Sequence, residues 1–222
     1  MMKKYLLIIL MLLCQCAAFG QGRVYTKKAR LEDFPSRTTR VVLTGQEVFD
    51  AILKEEISSR WMISPYEFCT VSDYTRERYT DLYYFIRFTF DADFTYMTLS
   101  KGGDPDAENQ LKQGFDAVSI PIAPAEMGGG DELLYLPAYI DIMQTFISKA
   151  MESDRVAYRG LKALTSKIIG PVYSDPTAAS AAFNNAEKFA NVKVEIGSSS
   201  SNRKYELVFT TDTHELRSIK KK

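Results

Sequence analysis

The stretch Thr39–Ile63, TRVVLTGQEVFDAILKEEISSRWMI, decides how this chain is read. Arg40 to Leu43 is a short β-branched run, and Thr44 is a fair helix N-cap with Glu47 three residues on as the second half of a capping box. Phe49, Ile52, Leu53 and Ile57 fall at helical spacing, with Lys54, Glu55 and Glu56 on the other side. Trp61-Met62-Ile63 reads as a second strand, so the stretch is a βαβ unit whose right-handed crossover lays the helix on one sheet face. Trp61 and Ile63 then point to the same face. Pro65 closes the strand, since it has no amide proton for a central ladder.

Moving outward, Ser72 and Asp73 start a short charged helix through Arg78. Tyr83 to Phe90 is the strongest strand, and Met97-Thr98-Leu99 pairs back on it across an Asp91 to Phe94 connection. Ala117 to Ile122 alternates Val118, Ile120 and Ile122 before Pro124. Pro137 suits a helix first turn, followed by the wide apolar stripe of Ile140, Met143, Phe146, Ile147, Ala150 and Met151. A second helix resumes after Ser153-Asp154 with Tyr158, Leu161, Leu164 and Ile168, and stops at Gly170-Pro171. Asp175-Pro176 opens an alanine-rich helix, Thr177 to Phe189, anchored by Phe183 and Phe189. A hairpin follows, with Val192, Val194 and Ile196 on one arm, a GSSSSN loop, and Tyr205, Leu207 and Phe209 on the other.

Strand, helix, W-x-I-x-P-Y-E-F over Trp61–Phe68, a short helix at Ser72-Asp73 and Y-Y-F-I-R-F over Tyr83–Phe88 together resemble a pattern in exported bacterial α/β proteins of unassigned function. In topology alone the order is also similar to small envelope α/β domains such as the amino-terminal domain of TolB. The resemblance covers Thr39 to Leu99, about a third of the chain. It brings no catalytic residue and implies a Gram-negative envelope setting.

The N-terminus supports export. Lys3 and Lys4 precede the apolar run Tyr5–Cys14, and Ala18-Phe19-Gly20 places small residues where a signal peptidase reads, leaving Gln21 as the first mature residue. The run falls short of the roughly 20 residues that span a bilayer, which argues against an uncleaved anchor. Cys14 and Cys16 raise lipidation as a minority alternative, but Leu13 and Gln15 precede them where a small residue is favoured. No later segment is apolar and long enough to cross a membrane. Residues 21–38 read as an extended arm, 39–211 as a single domain with a natural place for a split at Gly128–Gly130, and 212–222 as a polar basic tail.

The mature chain keeps Cys69 alone, so stability rests on an apolar core rather than disulfides. Forty-five per cent of the residues are hydrophobic, with 13 Tyr and 13 Phe, which is enough for such a core. The full chain has 28 basic and 28 acidic side chains; removing Lys3 and Lys4 leaves −2, a balance that argues against general nucleic-acid binding.

Trp61 reads as core filling, ahead of a ligand platform or an exposed partner contact. Cys69 reads as a buried inert thiol, because the lone histidine, His214, lies in the tail and no base is at hand to ionise it. Asp104, Asp106 and Glu108 alternate like calcium ligands, yet Asn109 stands where the loop needs glycine and Phe115 where it needs glutamate, so no metal is expected. Gly128–Gly130 is followed by Asp131 and Glu132, which repel phosphate, so the segment reads as a hinge and no cofactor is expected. Lys220 to Lys222 read as solvated.

Elimination leaves little catalysis. With no histidine assigned to the folded part, Ser-His-Asp, Cys-His and histidine-zinc sites fall away, and no nucleophile elbow or dinucleotide fingerprint is present. What remains is an exported, non-catalytic protein that binds an envelope protein or glycan, with Tyr66, Tyr74, Tyr79 and Tyr83 as candidate contacts. The alternative is a carboxylate-dependent glycan hydrolase with two facing acids. The expected fold is α+β (mixed α/β): a mainly antiparallel sheet opened by one βαβ unit and flanked by three or four helices.

Overall fold

The computed structural model describes residues 27–104, 106–108, 112–125 and 131–222, with the side chains of Asp131 and Glu132 outside the description. The expected signal peptide over Met1–Gly20, the start of the expected arm, Asn109 and the expected hinge at Gly128–Gly130 therefore lie outside the described residues.

The fold is α+β, with six α-helices and two mixed sheets among the described residues. The first sheet has the order β2-β1-β3-β4-β5, from β1 (Thr38–Val42), β2 (Tyr66–Cys69), β3 (Tyr83–Phe90), β4 (Phe94–Lys101) and β5 (Phe115–Pro124). β1 is parallel to both β2 and β3, while β3, β4 and β5 run antiparallel in turn. The second sheet has the order β6-β7-β8-β9, from β6 (Val172–Tyr173), β7 (Asn191–Gly197), β8 (Lys204–Thr210) and β9 (Leu216–Lys221). Only its β6–β7 pair is parallel. Where one sheet was expected there are two, and the strand pairing is mainly antiparallel, because the antiparallel ladders are the longer ones.

The βαβ unit forms with α1 at Glu47–Arg60, but its second strand is not Trp61–Ile63. Trp61 caps the helix, its amide donating to the Ile57 carbonyl at 2.9 Å. Pro65 opens β2 instead of closing a strand. Its carbonyl accepts the Thr39 amide at 2.8 Å, a bond that needs no proton from proline. The start of α1 also differs from a capping box on Thr44. The Asp50 carboxylate reaches back from inside the helix and accepts from the Thr44 amide, the Thr44 hydroxyl and the Gly45 amide, each at 2.8 Å.

Helix α2 (Val71–Glu77) starts one residue before the expected Ser72, because Thr70 and Asp73 form a true capping box. A one-turn α3 (Asp131–Leu134) leads into α4 (Leu136–Glu152) with Pro137 in its first turn. Leu136, Tyr139, Ile142, Met143, Phe146 and Ile147 are among the side chains that α4 buries; its apolar stripe is wide, with Asp141, Thr145, Ser148, Lys149 and Glu152 along the remaining side, and it acts as the central helix. Helix α5 (Asp154–Arg159) ends early at Gly160, whose φ of 61° is left-handed. The expected helix to Ile168 is replaced by a 3-10 turn, Gly160–Ala163, and an exposed extended strap from Thr165 to Val172. Helix α6 (Pro176–Asn184) is likewise shorter than expected, and only Phe183 anchors it, since Phe189 is 79% exposed.

One continuous hydrophobic cluster joins both sheets through α1, α4 and α6. Two segments read as peripheral belong to it. In the supposed extended arm, Leu31, which caps the end of a 3-10 turn at Lys28–Arg30, and Phe34, which opens a second at Phe34–Ser36, are fully buried. The supposed tail supplies β9, with Leu216 in the core. Trp61 is core, as its setting among aromatic neighbours predicted: it packs edge-on to Phe34 and donates its indole proton to Ser64, which is 2.7 Å from the Thr39 hydroxyl. Among the described residues no helix is long and apolar enough to cross a membrane.

Candidate partner-binding face

Alternation along β1–β3 sends Thr39, Val41, Tyr84 and Ile86 into the main core and puts Arg40, Val42, Tyr83, Phe85 and Arg87 on the other side of the sheet. On that side Val42, Cys69 and Phe85 form a small separate cluster, with Tyr74 from α2 and Tyr83 packed against it. The Tyr74 ring meets Phe85 edge-on at 5.1 Å, and Tyr83 meets it at 6.2 Å. Tyr79, just beyond α2, is 54% exposed. The Arg78 guanidinium stacks over its ring at 4.7 Å and donates to its phenol oxygen at 2.7 Å. Tyr66 is separated from these three. It pairs with Thr39, packs toward the main core, and meets Phe68 edge-on at 5.7 Å. Tyr74 and Tyr83 thus share one face, Tyr66 lies through the sheet, and Tyr79 stands exposed beyond the end of α2.

Charges on this face are internally matched. Arg40 lies over the Tyr83 ring at 4.3 Å and pairs with both Glu67 and Glu77. Arg87 reaches across to Ser100 at 3.2 Å and Asp116 at 2.8 Å. Beside it a row of hydroxyls, Thr89, Thr98 and Ser119, links three strands at 2.9 Å per step. Two carboxylates do converge here, but Glu67 and Glu77 both pair with the Arg40 guanidinium rather than facing each other across an empty site.

Cys69 is 6% exposed, and burial pushes its thiol up to about 11 against the opposing pull of Arg40. A thiol in that condition is a packing residue, not a nucleophile. The elimination of histidine chemistry needs correction on one point, because His214 is not in a loose tail. Its backbone is left-handed at φ 55°, its Nδ1 is 2.7 Å from Asp141 Oδ2, and its ring stacks on Phe183 at 5.1 Å. Arg60 also reaches Asp141 at 3.0 Å. Among the described residues no serine, threonine or cysteine hydrogen-bonds the ring of this His-Asp pair. It ties the β8–β9 turn to α4 and the end of α1. Sequence spacing gave no signal for it, since the three residues come from distant segments. Among the described residues no group of three or more His, Cys, Asp or Glu side chains could hold a metal ion.

No family model, curated protein or solved structure matches this chain.

Proposed function

We propose that this is an exported, non-catalytic protein of the bacterial envelope that binds a protein partner through the face built by α2 and the far side of β1–β3. Export rests on the Lys3-Lys4 start, the apolar run and the Ala18-Phe19-Gly20 site. The observation that carries the binding reading is the ring of apolar side chains left in water around a short helix. Val71 and Tyr79 are each 54% exposed and Leu82 is 51% exposed, beside the half-buried Tyr74 and Tyr83. Tyrosine with a stacked arginine is the composition of interface hot spots. Tyr79 is already held by Arg78, so docking it loses little rotamer freedom.

The test is affinity recovery from native envelope with the chain from Gln21 as bait, alongside a Tyr79→Asp/Leu82→Asp variant of unchanged circular dichroism. A protein retained by the wild type and lost by the variant supports the reading. Equal retention by both, or recovery of only a released sugar, overturns it.

A further inference from the structure

A second exposed apolar feature lies on the other sheet and takes no part in the face above. Along the strap, Ile168 is 39% and Ile169 67% exposed; Val172 is 39% exposed, and Phe189 in the loop after α6 is 79% exposed. The two segments are locked together. Gly170, at φ 90°, approaches so closely that a Cβ there would lie 1.9 Å from the Phe189 carbonyl oxygen. The buried Asn191 side chain donates to the Ile169 carbonyl at 2.8 Å and the Pro171 carbonyl at 3.1 Å. Thr211 donates its amide to the Ala190 carbonyl at 3.1 Å and its hydroxyl to the Glu187 carbonyl.

This bracing holds Phe189 at φ 60°, a backbone conformation that bulky side chains rarely adopt, and aims its ring outward. A strained residue persists only where its surroundings over-determine it, and such residues gather at functional positions. Here the strain serves no packing, because the ring is in water.

The flanking charge identifies the occupant. Lys167 precedes Ile168 and Lys188 precedes Phe189; both are exposed, and neither has an ion-pair partner among the described residues. Of the nearby acids, Glu187 accepts the Tyr173 phenol proton at 3.0 Å and Asp175 caps α6. A rigid apolar tip with free lysines at its base fits a surface that is greasy within and negative at its rim.

We propose that Ile168, Ile169 and Phe189, flanked by Lys167 and Lys188, form a peripheral anchor for an anionic lipid bilayer. The rings and branched chains enter the acyl boundary while the ammonium groups stay at headgroup level. The tip is far too short to span, so attachment is reversible.

The test places a reporter at the tip. In the full chain carrying Phe189→Trp, the new indole is distinguishable from Trp61, which is buried. Vesicles of equal phosphatidylglycerol and phosphatidylcholine with brominated acyl chains should quench and blue-shift it, and neutral vesicles should do so far less. Lys167→Glu and Lys188→Glu should each weaken binding by at least about fivefold, and added salt should weaken it further. No quenching by anionic vesicles in a variant with native circular dichroism overturns the proposal. Should that variant not fold, co-sedimentation decides: the apolar N-terminal run is common to wild type and Ile169→Asp, so equal recovery of the two overturns it. Lipid-free self-association abolished by Ile169→Asp would assign the tip to a second copy and also overturn it. Neither readout involves Tyr79 or Leu82, so failure here leaves the protein-binding face standing.

Discussion

Asp93 and Ser201 are 108 residues apart in sequence and 2.7 Å apart in the fold. The carboxylate sits in the β3–β4 turn with a side chain only 6% exposed, and the serine sits in the β7–β8 loop. Ser198 donates to the same carboxylate at 2.8 Å, and Arg203 joins at 2.8 Å. The GSSSSN loop is therefore a clasp that holds the second sheet to the first.

The clasp predicts a specific acid sensitivity. The hydroxyls of Ser201 and Ser198, then Arg203, hold the Asp93 carboxyl down at about 2 against an ordinary 3.8. In that interval the unfolded chain binds more protons than the folded one, so stability rises with pH. The contribution of Asp93 is fully present above the ordinary value and is lost as pH falls through about 2. Asp93→Asn should lower the urea midpoint at neutral pH and flatten its fall between those two values. A variant whose acid limb keeps the wild-type slope would show that the clasp is not what titrates.

Phe34 and Phe90 offer a paired test of the arm. Phe34 is fully buried, edge-on to Tyr84 at 4.7 Å, whereas Phe90 is 81% exposed at the end of β3. Phe34→Ala should cost about 3–5 kcal/mol and lower the melting temperature by roughly 10 °C. Phe90→Ala should stay within about 0.5 kcal/mol. Equal effects in thermal unfolding would remove the arm from the core.

The elements legible in the sequence are those where one period runs unbroken. The apolar residues Val192, Val194 and Ile196 of β7 and Tyr205, Leu207 and Phe209 of β8 recur at every second position, and the stripe of α4 follows the helical period; Tyr83–Phe90 is legible instead from its nearly continuous aromatic and β-branched run. The rest was hidden by contacts that leave no local pattern. A proline carbonyl opens β2, and a bulge between Val208 and Phe209 offsets β9 from the hairpin beside it. Leu31 and Phe34 are two apolar residues in a charged arm, too few to set a period. Misplacing β2 also hid the parity that sends Tyr66 through the sheet from Tyr74 and Tyr83. The anchor tip depends on Gly170 meeting Phe189, an approach between segments that no spacing encodes.

Cys69 should resist alkylation. With its thiol pushed up to about 11 by burial, roughly a thousandth is ionised at pH 8, and the thiolate is the reactive form. Peptide mass spectrometry after iodoacetamide treatment should find Cys69 modified only in denaturant. Rapid labelling in the native state would reopen thiol chemistry on that face.

His214 and Asp141 should behave as a structural couple. Their 2.7 Å contact joins the β8–β9 turn to α4, and Arg60 brings the end of α1 to the same carboxylate. The Phe183 ring covers one side of the imidazole, which explains why a left-handed backbone is tolerated at His214: the packed ring and the carboxylate together fix the turn. A double-mutant cycle with His214→Ala and Asp141→Ala should give a coupling of about 0.5–3 kcal/mol in urea unfolding, as for other contacting pairs. Arg60→Ala should shrink that coupling or leave it, according to whether the guanidinium or the imidazole orients the carboxylate. Additive single effects would mean that the contact contributes nothing to stability, and the only histidine of the chain would then need another reason for its fixed, half-covered place.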